Sequence, residues 1–237
     1  MEEQSRPVRL PLIQKPHNLR YRPEARQCQG LQSYDMPYFS KLLRQHSAWA
    51  FAGTLWLFYL PAQADVSAFA ARAVATGDTR GQVFAVIDKA AATVSMYDAT
   101  GKLIASSPVL LGQAKGDVSV PGIGERPMAA IEHHERTTPA GRFKSEPGEN
   151  LTGEKIVWID YEAAVSMHRL RPSNKLEKRP ERMATKTPLD NRITYGCVNV
   201  PAEFYDRWVL PLLGKTSGVV YVLPETQPAN KIFAFLR

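Results

Sequence analysis

The residue with the clearest chemical potential is Cys197, which sits in Thr194-Tyr195-Gly196-Cys197-Val198-Asn199. A glycine before a cysteine lets the backbone turn tightly and brings the thiol to the edge of a sheet. Nearby backbone N–H groups can then receive an oxyanion from a tetrahedral intermediate. A thiol needs a base to become a thiolate at neutral pH. Downstream of residue 64 the histidines are His133, His134 and His168. His168 lies in Ala164-Val-Ser-Met-His-Arg-Leu170, 29 residues before Cys197. Together they fit a thiolate nucleophile and its base. The bland alternatives are a buried inert cysteine and a satisfied core histidine. His133 and His134 are adjacent, so a strand would turn them to opposite faces. They read as surface residues, and no CxxC metal site can be built around Cys197.

The elements that must position these residues are mostly strands. Residues 66–74 suit a short helix, with a linker to 82. QVFAVIDK is apolar on both faces and reads as a central strand, with TVSMYD and KLIASSPVLLG following it through tight turns. Three such strands form a β-meander. Residues 113–127 are Gly- and Pro-rich and read as a long surface loop; 128–135 suit a strand or a short helix. TTPAGRF is a turn leading into a strand, and KIVWIDY and AVSMHRL are two more strands. Residues 169–192 are polar with no hydrophobic period. GCVNVP is a short strand ahead of an amphipathic helix over 202–213, which Pro211 should shorten or kink. GVVYVL is a last buried strand. Trp158 and Trp208 are expected in the core.

The N-terminal region reads as an export signal. AWAFAGTLWLFYL at 48–60 follows Lys41 and Arg44 and precedes Pro61-Ala62-Gln63-Ala64. A basic region, a short apolar core and a small-x-small site in that order define a secretory signal. The run is short for a membrane span, which needs about 20 apolar residues; an uncleaved anchor is the alternative. The expected organisation is an unstructured upstream extension at 1–35, a signal peptide at 36–64, a short helix or linker at 65–82, a catalytic-type domain at 83–225 and a tail at 226–237. Cleavage after Ala64 removes Cys28 and leaves Cys197 alone. A lone thiol in an oxidising compartment suggests either a reactive or a buried cysteine.

The net charge of +7 splits into +4 over residues 1–64 and +3 over the remainder. The globular part is only mildly basic, which argues against a nucleic-acid partner. Eighteen prolines argue against a long helical bundle.

Taken together, AVSMHRL, TYGCVN, the turn Thr138-Pro139-Ala140-Gly141-Arg142-Phe143 and the opening hairpins resemble the catalytic domain of the L,D-transpeptidases, over roughly residues 83–224. The resemblance implies a mainly β fold, a bent, barrel-like mixed sheet with one or two packed helices. It implies Cys197 as nucleophile and His168 as base, with Gly196 and Cys197 N–H groups holding the oxyanion and Tyr195 positioning the thiol or substrate. Asn199, Arg169 and Thr194 become candidate substrate contacts. Its partners are peptidoglycan stem peptides at the periplasm or cell envelope, with no metal or organic cofactor. A monomer is expected, touching membrane only through an uncleaved signal.

Two features depart from the family pattern. Tyr195 stands where the family carries a histidine, and the gap from His168 to Cys197 is long. The long gap holds Arg169, Arg171, Lys175, Lys178, Arg179, Arg182, Lys186 and Arg192, and suggests either a basic lid over the cleft or a solvated loop. An L,D-carboxypeptidase or other hydrolase, and an inactive peptidoglycan-binding module, remain open beside the transferase.

Overall fold

The structure, a computed structural model, describes residues 65–171 and 174–237. The expected extension, the signal segment and Cys28 lie outside the described residues.

The fold is mainly β. Among the described residues ten strands form: β1 (Phe84–Asp88), β2 (Thr93–Tyr97), β3 (Leu103–Pro108), β4 (Leu111–Gly112), β5 (Gly141–Glu149), β6 (Lys155–Asp160), β7 (Val165–Arg169), β8 (Arg192–Thr194), β9 (Val198–Val200) and β10 (Gly218–Leu223). Eight make a mixed sheet in the order β3-β2-β1-β10-β5-β6-β7-β9, and β4 pairs with β8 apart from it. The expected meander is β1 to β3. The pairs β1–β10 and β7–β9 are parallel; the other neighbours in the large sheet are antiparallel.

KLIASSPVLLG was expected as one strand, but it divides. β3 ends at Pro108, and Leu110 then exchanges two backbone hydrogen bonds of 2.9 Å with Asn199 of β9. One stretch of chain therefore joins both edges of the large sheet, which bends the sheet towards closure. β8, which starts at the last residue of the polar segment 169–192, is the partner that draws Leu111 and Gly112 away from β3.

Strand β1 is buried on both faces, as its doubly apolar sequence predicts. Ala85 and Ile87 enter the main core with Val220, Val222, Met167 and Val198. Phe84 and Val86 enter a second core with Phe69, Tyr221 and Phe233. Helix α1 (Val66–Ala75) closes that second core; its N-cap Asp65 accepts from the Ser67 and Ala68 N–H groups at 3.0 Å each. Residues 226–237 fold onto the same side, where Phe233 stacks edge-on against Phe69.

The expected helix over 202–213 is composite. Ala202–Phe204 and Leu210–Leu213 are α-helical and flank a π-helical turn at Tyr205–Val209. Pro211 has no N–H to donate to the preceding turn, which accounts for the irregular winding. Trp158 and Trp208 are half-buried rather than central.

Candidate functional site

The site is built by strand alternation on two parallel neighbours. Val165 and Met167 of β7 and Val198 and Val200 of β9 point into the main core. Side chains at alternate positions must face the other way. That puts Ser166 and His168 on one face with Cys197 and Asn199, and the register sets His168 directly across from Asn199. The structure thus brings together the cysteine and the histidine singled out from the sequence. Ser166 is a partner that sequence reasoning missed; its spacing of two from His168 was the available signal.

Cys197 is a free, half-buried thiol. Its Sγ lies 3.7 Å from Ser166 Oγ and 3.7 Å from the Ala164 carbonyl. Burial pushes the thiol up, but the nearby His168 ring, together with hydrogen bonds from Ser166, pulls harder, and the net shift is downward. The imidazole shows the complementary shift. Burial lowers it, the nearby Cys197 and the hydrogen bond to the Arg169 carbonyl raise it more, and the net direction is up. Each group favours the ionised form of the other.

The tautomer of His168 follows from its neighbours. Its Nδ1 lies 2.8 Å from the Arg169 carbonyl, an acceptor only, so Nδ1 carries the proton. Nε2 then holds the lone pair. Asn199 Nδ2 donates to Nε2 at 3.1 Å. The amide is held that way round because Asn199 Oδ1 accepts from Arg179 Nη1 at 2.8 Å. Arg179 comes from the polar segment that sequence reasoning had left without a period, on the short helix α2 (Arg179–Ala184). Its charge also lowers His168.

The turn before the cysteine is tightly determined. Gly196 has φ of +131°, and a Cβ there would lie 2.8 Å from the Thr137 carbonyl. Thr138 Oγ donates to the Gly196 carbonyl at 2.8 Å and accepts from Gly112 N–H at 2.9 Å. Thr194 Oγ donates to the Cys197 carbonyl at 2.6 Å and accepts from the Gly196 N–H at 3.1 Å. The Gly196 N–H, expected to face an oxyanion, is thus engaged inside the protein. Under this turn lies a buried charge cluster. Lys89 Nζ donates to Asp117 Oδ1 at 2.8 Å and to the Thr138 carbonyl at 2.9 Å, while Arg192 pairs with Glu225. Burial raises the Asp117 carboxyl, but hydrogen bonds from Lys89, Thr226 and Glu225 outweigh it and hold it down to about 2.

The remaining sequence candidates sit close by. Tyr195 is covered by the Arg136 guanidinium, 3.9 Å from its ring centroid. Arg169 is ion-paired with Asp206 and Glu154 and lies over the Tyr205 ring. The buried hydroxyl of Thr194 and the buried amide of Asn199 have the partners given above. The arginines expected in a basic lid are largely internal ties. Arg171 pairs with Glu154, Arg179 with Glu177, and Arg182 donates to the Glu177 and Asp190 carbonyls. Lys175, Lys178 and Lys186 are exposed. His133 and His134 are both exposed.

No protein-family model matches the sequence, and no curated protein matches it. Solved structures that resemble the chain include the L,D-transpeptidase from Mycobacterium smegmatis, at 18% identity over 60% of this chain and 58% of that one, with a TM-score of 0.34. The catalytic domain of the Enterococcus faecium L,D-transpeptidase gives 18% identity over 60% of this chain and 98% of that one, with a TM-score of 0.34. A helical cell shape determining protein from Campylobacter jejuni gives 13% identity, 62% and 48% coverage, and a TM-score of 0.38. This chain spans less than two thirds of the length of the Mycobacterium smegmatis structure. Residue roles therefore have to come from this chain's own atoms.

Proposed function

We propose that this chain is an exported cysteine acyltransferase acting on peptidoglycan stem peptides, of the L,D-transpeptidase kind. One observation carries the reading. Cys197 and His168 share a face of two parallel strands, with the thiol shifted down and the imidazole shifted up by each other. A nucleophile and base coupled in this way suit covalent acyl transfer.

In this reaction His168 Nε2 takes the thiol proton, while Nδ1–H stays anchored on the Arg169 carbonyl. The Cys197 thiolate attacks the carbonyl between residues three and four of a tetrapeptide stem. The Cys197 N–H receives the oxyanion, since the Gly196 N–H is held by Thr194. The tetrahedral intermediate collapses to a thioester, and D-Ala leaves with a proton returned by His168. An amine from a second stem then displaces the thiol and forms a cross-link between two diaminopimelate residues. Water in place of that amine gives an L,D-carboxypeptidase. The signal-like segment at 36–64 supports a periplasmic or envelope location.

A second reading, an inactive peptidoglycan-binding module, is favoured by one contact: Asn199 Nδ2 sits on the Nε2 lone pair that the base must use. Intact-protein mass spectrometry separates the two. The protein is incubated under reducing conditions with a tetrapeptide stem or a carbapenem, beside Cys197→Ala and His168→Ala. An adduct on the native protein, absent from Cys197→Ala and slower in His168→Ala, is expected. A folded native protein that forms no adduct with either reagent rejects the enzyme reading in favour of the binding module.

A further inference from the structure

A guanidinium without a carboxylate lies beside the candidate site. Arg136 Nε and Nη2 both donate to the Ile131 carbonyl, at 3.3 and 3.1 Å, and Nη1 donates to Gln113 Oε1 at 3.1 Å. Among the described residues no carboxylate lies within 4.0 Å of it, although Glu132 and Glu135 are close in sequence. Glu135 is held by Arg126, and Glu132 lies 3.3 Å from His134. Two of the five guanidinium N–H donors are left over.

The group is also held rigidly. Its Cζ lies over the Tyr195 ring, 3.9 Å from the ring centroid. Gln113 Oε1, which orients Nη1, also receives His133 Nδ1 at 2.8 Å. The Gln113 backbone N–H is in turn fixed on the Thr194 carbonyl at 2.9 Å. Arg136 lines an open groove of about 600 Å³ with Ala129, Ala130, Ile131, Glu132, His133 and His134. Tyr195, beneath it, is two residues from Cys197.

We propose that Arg136, held by Tyr195 and Gln113, is a specificity subsite that binds a free carboxylate of the stem peptide. The proposal rests on the functional reading above and adds to it a residue that selects the acid over the amide form of the substrate. An anchored guanidinium with two spare donors is suited to a carboxylate, and an uncharged amide is a weaker partner for it. The Tyr195 ring, which replaces the family's histidine, serves as the platform for the cation.

The test measures binding, so it does not depend on turnover. Full-length Cys197→Ala protein is titrated with the free tetrapeptide and with peptides amidated singly at each of its carboxylates. One amidation is expected to weaken binding about tenfold. Added Arg136→Gln should abolish that discrimination, and Arg136→Lys should keep part of it. Thermal unfolding confirms that each variant is folded. Equal binding of all the peptides, no binding of the free peptide, or a discrimination that survives in Arg136→Gln each overturns the proposal. Carbapenem adduct formation on native protein, measured in parallel, reports on the nucleophile alone and separates failure of the subsite from failure of the enzyme reading.

Discussion

Thr138 Oγ donates to the carbonyl of Gly196 across 2.8 Å, tying the Thr-Pro-Ala-Gly turn to the residue before the cysteine. The same hydroxyl accepts from Gly112 N–H, and Thr138 itself is fully buried. A single side chain thus satisfies two backbone groups that water does not reach. Thr138→Val keeps the shape and leaves both unpaired, which should cost about 2 kcal/mol. Thr138→Ser should recover most of it. Denaturant midpoints of the three proteins check this; equal midpoints for native and Thr138→Val would show that the bonds contribute nothing.

Gly196 is required by its backbone angle and by its surroundings. At φ of +131° a side chain is strained, and a Cβ would press on the Thr137 carbonyl at 2.8 Å. Gly196→Ala should therefore destabilise the protein by about 2 kcal/mol and displace the thiol from His168. The readouts are the unfolding midpoint and the alkylation rate of Cys197 at neutral pH. Both should fall together. A Gly196→Ala protein with native stability would mean that the turn can rearrange freely.

The thiol and the imidazole predict a pH signature. Burial alone would place the Cys197 thiol above its ordinary value of 9.0, and His168 brings it below that value. Iodoacetamide alkylation of the native protein should therefore rise with a midpoint below 9.0. In His168→Ala the pull of His168 is gone while burial and the Ser166 hydrogen bonds remain, so the midpoint should move upward. Mass-detected alkylation rates across pH give both curves. Superimposable profiles would show that the two groups do not interact.

The alternation in AVSMHRL and CVNV was legible in the sequence, and it is what sets His168 and Cys197 on one face. The doubly apolar FAVID was equally legible as a central strand. What escaped reading depended on partners far along the chain. PVLLG is uniformly apolar and looked like a continuation of β3, because nothing local reveals that Asn199 and β8 would pair with it. Lys89 ends the run QVFAVIDK with nothing local to mark it as internal, yet it is fully buried because Asp117 supplies a carboxylate 28 residues away. Arg179 lies in a polar segment with no period, and only the folded chain shows it reaching Asn199. Thr138 reads locally as part of a turn leading into a strand, but its bond to Gly196 spans 58 residues.

Arg179 sets the last prediction, because it controls what Asn199 can offer His168. With Oδ1 held by Arg179, Asn199 presents Nδ2–H to His168 Nε2, which suits a neutral imidazole and opposes an imidazolium. The Arg179 charge acts in the same direction. Arg179→Met should release the amide to turn, letting Oδ1 accept from a protonated Nε2, and should remove the nearby cation. Both changes raise the imidazole further. The His168 ring resonance, assigned by its loss in His168→Gln, can be followed against pH by NMR. Its midpoint should be higher in Arg179→Met than in the native protein, with Arg179→Lys between them. A raised imidazole remains charged to higher pH and favours the thiolate beside it, so Cys197 alkylation in Arg179→Met should begin at lower pH. An unchanged or lowered His168 midpoint would remove Arg179 from any account of how this imidazole titrates.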